Sequence, residues 1–202
     1  MSIPKSHYFQ PRPEVPSQPR TVHLRLPDLE LSLATDRGVF GARALDLGTM
    51  VLLREAPAPP PQGEILDLGC GYGPIALTLA RRAPAAHVWA VDVNERALEL
   101  VRANAVTAGA SNVTVAAPAD VPGDLRFDAI YSNPPVRVGK EPLHSLLGEW
   151  LVRLKPGAPA YLVVQRNMGS DSLAAWLARE GWQVARLRSK KGYRILEVRA
   201  AS

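Results

Sequence analysis

The chain has 202 residues, of which 47% are hydrophobic, and a formal net charge of +5. This length and composition predict one globular domain with a substantial core and a small extension. The sequence has neither an apolar run of about 18 residues nor an apolar signal core at its start, so we expect a cytoplasmic protein with no membrane span.

The N-terminal part differs in composition from the rest of the chain. Prolines dominate its first segment, which favours an extended arm over a helix or a central strand. Apolar and polar residues then alternate on both sides of Pro27-Asp28, as in a β-hairpin, and residues 45–55 resemble a short helix. The predicted units are a proline-rich arm (1–20), a hairpin and helix extension (21–55), a proline-rich linker (56–62) and the main domain (63–202).

In the main domain, short apolar runs alternate with segments of helical periodicity. Strands are predicted at 65–68, 88–92, 113–116, 127–132 and 160–164, helices at 74–83, 95–109, 141–154 and 171–180, and a closing hairpin at 182–187 and 193–198. This alternation predicts an α/β fold with a mostly parallel, seven-stranded sheet and helices on both faces. Ligands of such sheets bind at the carboxyl ends of the strands. Asp67, Asp92, Asp120 and Asn133 are all predicted to lie there.

A glycine-rich turn between the first main-domain strand and helix is the strongest motif of the chain. Its glycines alternate at Gly69, Gly71 and Gly73, preceded by Asp67 and followed by Asp92 at the end of the next strand. The third glycine comes one residue too early for the dinucleotide fingerprint. A carboxylate at 67 would repel a pyrophosphate but attract an ammonium group, which S-adenosylmethionine carries. The turn therefore predicts an S-adenosylmethionine site; an ordinary glycine-rich connection is the alternative.

The only cysteine, Cys70, lies inside this turn. A single thiol excludes an internal disulfide and disfavours a cysteine-rich metal site. The histidines show no metal-ligand spacing, and we predict no metal. Cys70 is either a nucleophile or simply a small residue of the turn.

The loop Ser132-Asn-Pro-Pro135 follows the fourth predicted strand. Two prolines stiffen it, so that Asn133 is presented in a fixed place. An exocyclic ring amine is a weak nucleophile because its lone pair is delocalised. Hydrogen bonds to the Asn133 side-chain oxygen and to a backbone carbonyl such as that of Pro134 would favour a pyramidal, reactive nitrogen. A plain turn is the alternative for this dipeptide.

These motifs together resemble the Rossmann-like methyltransferases, and Asn-Pro-Pro resembles the amino methyltransferases among them. The sequence is most similar, over about residues 21–199, to the small methyltransferase-domain (MTS) family typified by ribosomal RNA small-subunit methyltransferase C, a guanine-N2 enzyme. The chain looks like the short single-domain members, and it has Val136 where many relatives have an aromatic residue. The segments that carry the resemblance are Gly38–Phe40, Leu45–Thr49, Asp67–Gly73, Asp92–Asn94, Ser132–Pro135, Gly139–Lys140 and Lys191–Arg194.

The resemblance also implies roles for individual residues. The cofactor would be held by Asp67, Gly69, Cys70, Gly71, Gly73, Asp92, Asn94 and Asp120, with Asp92 on the ribose and Asp120 on the adenine amine. Asn133, Pro134 and Pro135 would hold the target amine. The substrate would meet Phe40, Val136, Arg137 and Lys140. For Phe40, packing of the N-terminal arm is an equal alternative, and Arg137 and Lys140 are either phosphate ligands or solvated charges.

Charge is spread unevenly along the chain. Residues 61–136 carry a balance of −3, whereas residues 137–202 carry +7. A basic carboxyl third would attract RNA, although a solvated basic surface is the alternative. We expect N-methylation of guanine in ribosomal RNA by a monomer or weak dimer. The alternatives are methylation of a protein side-chain amide or small amine, a cofactor-binding RNA scaffold without turnover, and nicotinamide-dependent oxidoreduction, which the glycine spacing disfavours.

Overall fold

The computed structural model describes residues 15–200, so most of the predicted arm, residues 1–20, lies outside the described residues. Within this range, no helix is long and apolar enough to cross a lipid bilayer. The strands are β1 (Arg20–Arg25), β2 (Glu30–Thr35), β3 (Gln62–Leu68), β4 (Ala85–Val91), β5 (Val113–Ala116), β6 (Ala129–Ser132), β7 (Ala160–Gln165), β8 (Trp182–Lys190) and β9 (Tyr193–Ala200). The α-helices are α1 (Leu47–Glu55), α2 (Pro74–Arg82), α3 (Glu95–Ala108), α4 (Lys140–Leu151) and α5 (Ser170–Arg179).

Seven of the strands form one sheet in the order β5-β4-β3-β6-β7-β9-β8. The first five in that order run parallel, and the closing hairpin β8–β9 adds antiparallel to β7. This confirms the mostly parallel, seven-stranded Rossmann-like sheet. The carboxyl ends of β3, β4, β6 and β7 meet at one edge, which is where a ligand site is expected in such folds.

Each face of the sheet is covered by helices and has its own hydrophobic core. Consecutive strand residues point to opposite faces, and Ile65 and Leu66 of β3 accordingly belong to different cores. Helices α1, α2 and α3 cover the Ile65 face, whereas α4 and α5 cover the Leu66 face. The two-sided burial explains why β3 is apolar on both faces rather than alternating.

The N-terminal extension consists of the predicted hairpin, β1 paired antiparallel with β2, followed by α1. It packs on the same face as α2 and α3, and Leu24, Leu33 and Leu52 are fully buried there. The Asn104 side chain of α3 bonds both backbone groups of Ala34, at 2.7 and 2.8 Å, in β2. The extension is therefore attached to the sheet domain by both apolar packing and a buried amide.

Because the extension shares a core with the sheet, we predict that the two unfold together. Leu52→Ala should lower the free energy of unfolding by about 2–5 kcal/mol in one cooperative denaturant transition. Val106→Ala, at an 84% exposed position of α3, is the control and should change it by less than about 0.5 kcal/mol. A Leu52→Ala protein that melts in two separate steps would contradict the shared core.

Candidate active site

The turn between β3 and α2 depends on glycines for two different reasons. Gly69, Gly71 and Gly73 all have positive φ, at 76°, 54° and 94°. A Cβ on Gly73 would come within 3.1 Å of the Val101 side chain, so this glycine allows α2 to pack on α3. A Cβ on Gly71 would meet only the Phe40 carbonyl oxygen, at 3.9 Å. Gly71 thus leaves open space beside the backbone for a ligand.

Asp92 follows β4 and fastens this turn. Its Oδ2 accepts a hydrogen bond from Gly71 N and its Oδ1 accepts one from Asn94 N, both at 2.9 Å. Burial raises the pKa of the Asp92 carboxyl, and the backbone N–H groups of Asn94, Gly71 and Val93 oppose that rise. A carboxylate has about four acceptor sites, so Asp92 can still accept a hydrogen bond from a ligand hydroxyl. Asn94 caps α3 and donates from Nδ2 to Gly38 O at 3.0 Å.

Asp67 lies beneath the turn and not on a cavity wall, which differs from the expectation that its carboxylate faces the ligand. It points to the same face as Ile65, towards α2, because strand side chains alternate. Its Oδ2 accepts from Ala76 N at 2.8 Å, whereas the buried Oδ1 has no hydrogen-bond partner within residues 15–200. Burial, with a smaller contribution from Asp92, raises the Asp67 pKa to about 8. Its contact with a cofactor stays a prediction.

Two other predicted cofactor residues occupy contrasting places. Cys70 is buried in the turn, and burial raises the pKa of its thiol well above the usual value, which makes it a poor nucleophile. This favours the interpretation of Cys70 as a small turn residue. Asp120 ends a short 3-10 turn after β5, is exposed, and lines none of the cavities at the strand ends.

Three cavities open along the edge formed by the strand ends. The first cavity, of about 290 Å³, is lined by residues that include Asp46, Gly69, Asp92 and Asn133. A second lies over the glycine turn and a third lies between Gly71, Asp92 and Asn94. Phe40 borders all three, and Gly69 and Asn133 border the first two. The glycine turn and the Asn133 loop therefore share cavity walls.

Hydrogen bonds hold the side-chain amide of Asn133 at its Nδ2 end. Its Nδ2 donates to Asp46 Oδ2 at 2.7 Å and to Thr49 Oγ1 at 3.0 Å. No hydrogen bond to Asn133 Oδ1 is present among residues 15–200, and Asn133 lines the first and second cavities, so this oxygen can accept a hydrogen bond from a ligand. The adjacent Pro134 carbonyl accepts from Val136 N at 2.8 Å and retains a second lone pair. Two consecutive residues that line the first cavity therefore each have acceptor capacity left for an amine.

Aromatic and basic residues complete the first cavity. Phe40 is 57% exposed at its edge. Tyr193 lies on another wall beside Asp46; burial first, and the nearby Asp46 charge second, raise the pKa of its hydroxyl. Val136 and Arg137 also line this cavity, whereas Lys140, at the start of α4, is exposed and does not.

Sequence reasoning missed Asp46, Thr49 and Tyr193 as site residues. Asp46 caps α1 by accepting from Thr49 N at 2.9 Å, and the spacing Asp-x-x-Thr before an apolar run is a signal of such a cap. Nothing in that spacing points to a loop more than eighty residues away. A Cβ on Gly48 would lie 2.7 Å from the Tyr193 ring, so Gly48 lets this ring pack on the start of α1.

Among residues 15–200, no group of three or more His, Cys, Asp or Glu side chains is arranged to hold a metal ion. The predicted lack of a metal stays a prediction.

Comparison with known proteins identifies the family. The model of the methyltransferase small domain matches residues 30–197 of the chain. The chain belongs to this family. The uncharacterized protein YbxB of Bacillus subtilis is 34% identical over 196 residues, covering 96% of this chain and 98% of that protein. The chain is accordingly an S-adenosylmethionine-dependent methyltransferase of the small-domain family.

Other relatives have names that state an activity. Ribosomal RNA small subunit methyltransferase C of Aeromonas hydrophila is 37% identical over 143 residues, covering 70% of this chain and 40% of that protein. The solved structure of the T. thermophilus 16S rRNA N2 methyltransferase (RsmC), in complex with AdoMet and guanosine, superimposes with a TM-score of 0.75 at 25% identity. It covers 94% of this chain and 52% of that one. This chain therefore spans about half the length of the T. thermophilus protein and less than half that of the Aeromonas protein.

The buried Asp67 carboxyl gives a prediction on stability. Its folded pKa of about 8 lies above the unfolded value of about 3.9, so the folded state holds a proton that the unfolded state releases as the pH rises between these values. The wild type should therefore lose stability relative to Asp67→Asn between about pH 4 and pH 8. The variant keeps an acceptor for Ala76 N.

Thermal unfolding of both proteins across that range, followed by circular dichroism, measures the difference. A difference in Tm that does not change with pH would show that the Asp67 carboxyl is ionised in the folded protein at ordinary pH.

Proposed function

We propose that the chain methylates an exocyclic amine, namely N2 of a guanine in ribosomal RNA. The observation that carries this proposal is the Asn133 amide, whose two N–H groups are engaged by Asp46 and Thr49 while its oxygen remains available in a cavity that Gly69 also lines. Such an oxygen accepts an N–H, as an amine substrate requires.

Bound at the glycine turn, S-adenosylmethionine supplies an electrophilic methyl group. The open side of Gly71 and the remaining acceptor capacity of the Asp92 carboxylate fit its nucleoside, and the backbone of Gly69 to Gly73 would line its methionine end. Asn94 would lie beside the ribose. Asp67 would act from beneath the turn, through its unpartnered Oδ1. We retain Asp120 as the candidate for the adenine amine on resemblance alone.

Asn133 and Pro134 prepare the amine. Asn133 Oδ1 accepts one N–H and the Pro134 carbonyl accepts the other, which withdraws the nitrogen lone pair from the ring and directs it towards the glycine turn. The carbon–nitrogen bond forms as the carbon–sulfur bond breaks, and the amine proton leaves to solvent afterwards. Positioning supplies the rate enhancement, so a strong base is not needed.

The walls of the first cavity favour a planar, anionic polymer as the substrate. Phe40 and Tyr193 offer aromatic surface, on which bases stack with about 1–3 kcal/mol each. This surface could serve in place of the aromatic residue that many relatives have at the position of Val136. Arg137 at the cavity and Lys140 nearby can contact phosphates. The names of the methyltransferase C relatives also support ribosomal RNA as the substrate.

A protein side-chain amide or a small amine is the second candidate, because Asn133 could hold either. The aromatic and basic walls disfavour it, since neither substrate needs phosphate contacts. A scaffold without turnover is disfavoured because the Asn133 hydrogen bonds are intact.

Asn133→Ala should lower methyl transfer by about 100-fold or more, because the amine loses its acceptor. The assay measures transfer from tritiated cofactor to ribosomal RNA taken from cells that lack the gene, with mapping of the methylated nucleoside. Gln183→Ala removes an exposed amide on β8 and is the matched control, with unchanged transfer expected. Equal incorporation by wild type and Asn133→Ala would remove the catalytic assignment.

The affinity of the protein for RNA should fall as the salt concentration rises. The double variant Arg137→Ala, Lys140→Ala should have a smaller slope of log K against log salt, reduced by about one for each phosphate that is no longer neutralised. Filter binding measures this slope. Arg81→Ala combined with Arg126→Ala is the charge-matched control: both arginines are exposed and lie near the amino ends of β4 and β6, at the opposite edge of the sheet, so the slope should stay unchanged. Weak wild-type binding with no salt slope would remove RNA and favour the small-amine or amide substrate.

A further inference from the structure

Asp46 and Thr49 belong to the N-terminal extension, whereas Asn133 follows β6, 87 and 84 positions further along the chain. One carboxylate oxygen, Asp46 Oδ2, accepts from Thr49 N at 2.9 Å and from Asn133 Nδ2 at 2.7 Å. The cap of α1 and the clamp on the Asn133 amide are therefore the same atom. Any change that moves the start of α1 also moves the acceptor that Asn133 uses.

This arrangement decides which way the amide faces. An ionised carboxylate only accepts hydrogen bonds, so the Nδ2 end of Asn133 must face Asp46. The rotated amide would place Oδ1 against the carboxylate oxygen, so that two acceptors would face each other and the hydrogen bond to Asp46 would be lost. It would also present N–H groups to the substrate, where an amine needs an acceptor. The orientation of Asn133 therefore depends on Asp46 more than on its own loop.

We propose that Asp46, assisted by the Thr49 hydroxyl, is a positioning residue that fixes the Asn133 amide with its oxygen towards the substrate amine. This inference rests on the proposed function, in which Asn133 Oδ1 accepts the amine. It assigns the N-terminal extension a part in the reaction itself. Asp46 also polarises the amide through the short Nδ2 contact, which strengthens Oδ1 as an acceptor.

Steady-state kinetics test this role. Asp46→Ala should lower kcat by about 10- to 100-fold, because a misplaced catalytic group costs up to that much. The KM for RNA and the affinity for S-adenosylhomocysteine should stay within about twofold, since Asp46 contacts neither in this proposal. Asp46→Asn should restore most of kcat, because its Oδ1 can accept both N–H groups. Asp28→Ala is the matched control; this carboxylate of the extension pairs with Arg82 and should leave kcat unchanged.

Thr49 offers a second pair of variants that keep the Asp46 cap. Thr49→Val preserves the shape of the side chain but removes the hydroxyl that accepts from Asn133 Nδ2, so kcat should fall by a smaller factor, about threefold to tenfold. Thr49→Ser retains the hydroxyl and should behave as the wild type. If all four variants at positions 46 and 49 had the kcat of the wild type, the inference would be overturned.

A spectroscopic readout needs no substrate. The side-chain amide resonances of Asn133 in isotope-labelled protein are identified by their loss in Asn133→Ala. In Asp46→Ala they should shift and exchange faster with solvent, whereas Asp28→Ala should leave them in place. Unmoved resonances in Asp46→Ala would show that the contact does not hold the amide.

A failure of the proposed function can be distinguished from a failure of the positioning role of Asp46. If Asn133→Ala keeps full activity, the proposed function loses its catalytic residue, whatever the resonances show. If Asn133→Ala is inactive but Asp46→Ala turns over like the wild type, the proposed function stands and the positioning role of Asp46 is overturned.

Discussion

The hydrogen bonds from Asn133 to Asp46 and Thr49 join two parts of the chain that border the same cavities. They link the loop after β6 to a helix cap in the N-terminal extension. The same extension is held to α3 by Asn104 and to Asn94 through Gly38 O, beside the glycine turn. The extension is thus bonded both to the Asn133 loop and to Asn94 beside the glycine turn, which in the proposed function hold the amine and the cofactor.

Carboxylates organise the rest of the site by binding backbone N–H groups. Asp92 holds the glycine turn, and Asp67 holds the first turn of α2, whose cap residue has no side chain. Both are buried, and burial raises the pKa of each. Bringing two acidic groups so close to one turn costs stability in the free protein. A cationic ligand at the turn would offset part of that cost, since opposite charges favour ionised carboxylates.

The sequence pattern predicted the order of elements well, because glycines, prolines and apolar periodicity act locally. The helix ending at Gly109 and the hairpin at Pro27-Asp28 are examples. The ends of elements that depend on a pairing partner were predicted less accurately. Strand β3 begins at Gln62, inside the predicted linker, because its pairing with β4 starts at Gln62 and Ala85. The Asp46–Asn133 contact is equally non-local. The burial of Asp67 followed from the two-residue period of β3 together with the side on which α2 packs, which the sequence did not specify.

The central claim is that one continuous site brings a methyl donor at the glycine turn to an amine at Asn133. A crystal structure of the chain with S-adenosylhomocysteine and guanosine tests it most directly. The account predicts the ribose hydroxyls on Asp92, the thioether sulfur facing the Asn133 loop, and the guanine amine within hydrogen-bonding distance of Asn133 Oδ1. A cofactor product bound away from Gly71, or an Asn133 oxygen turned towards Asp46, would contradict it.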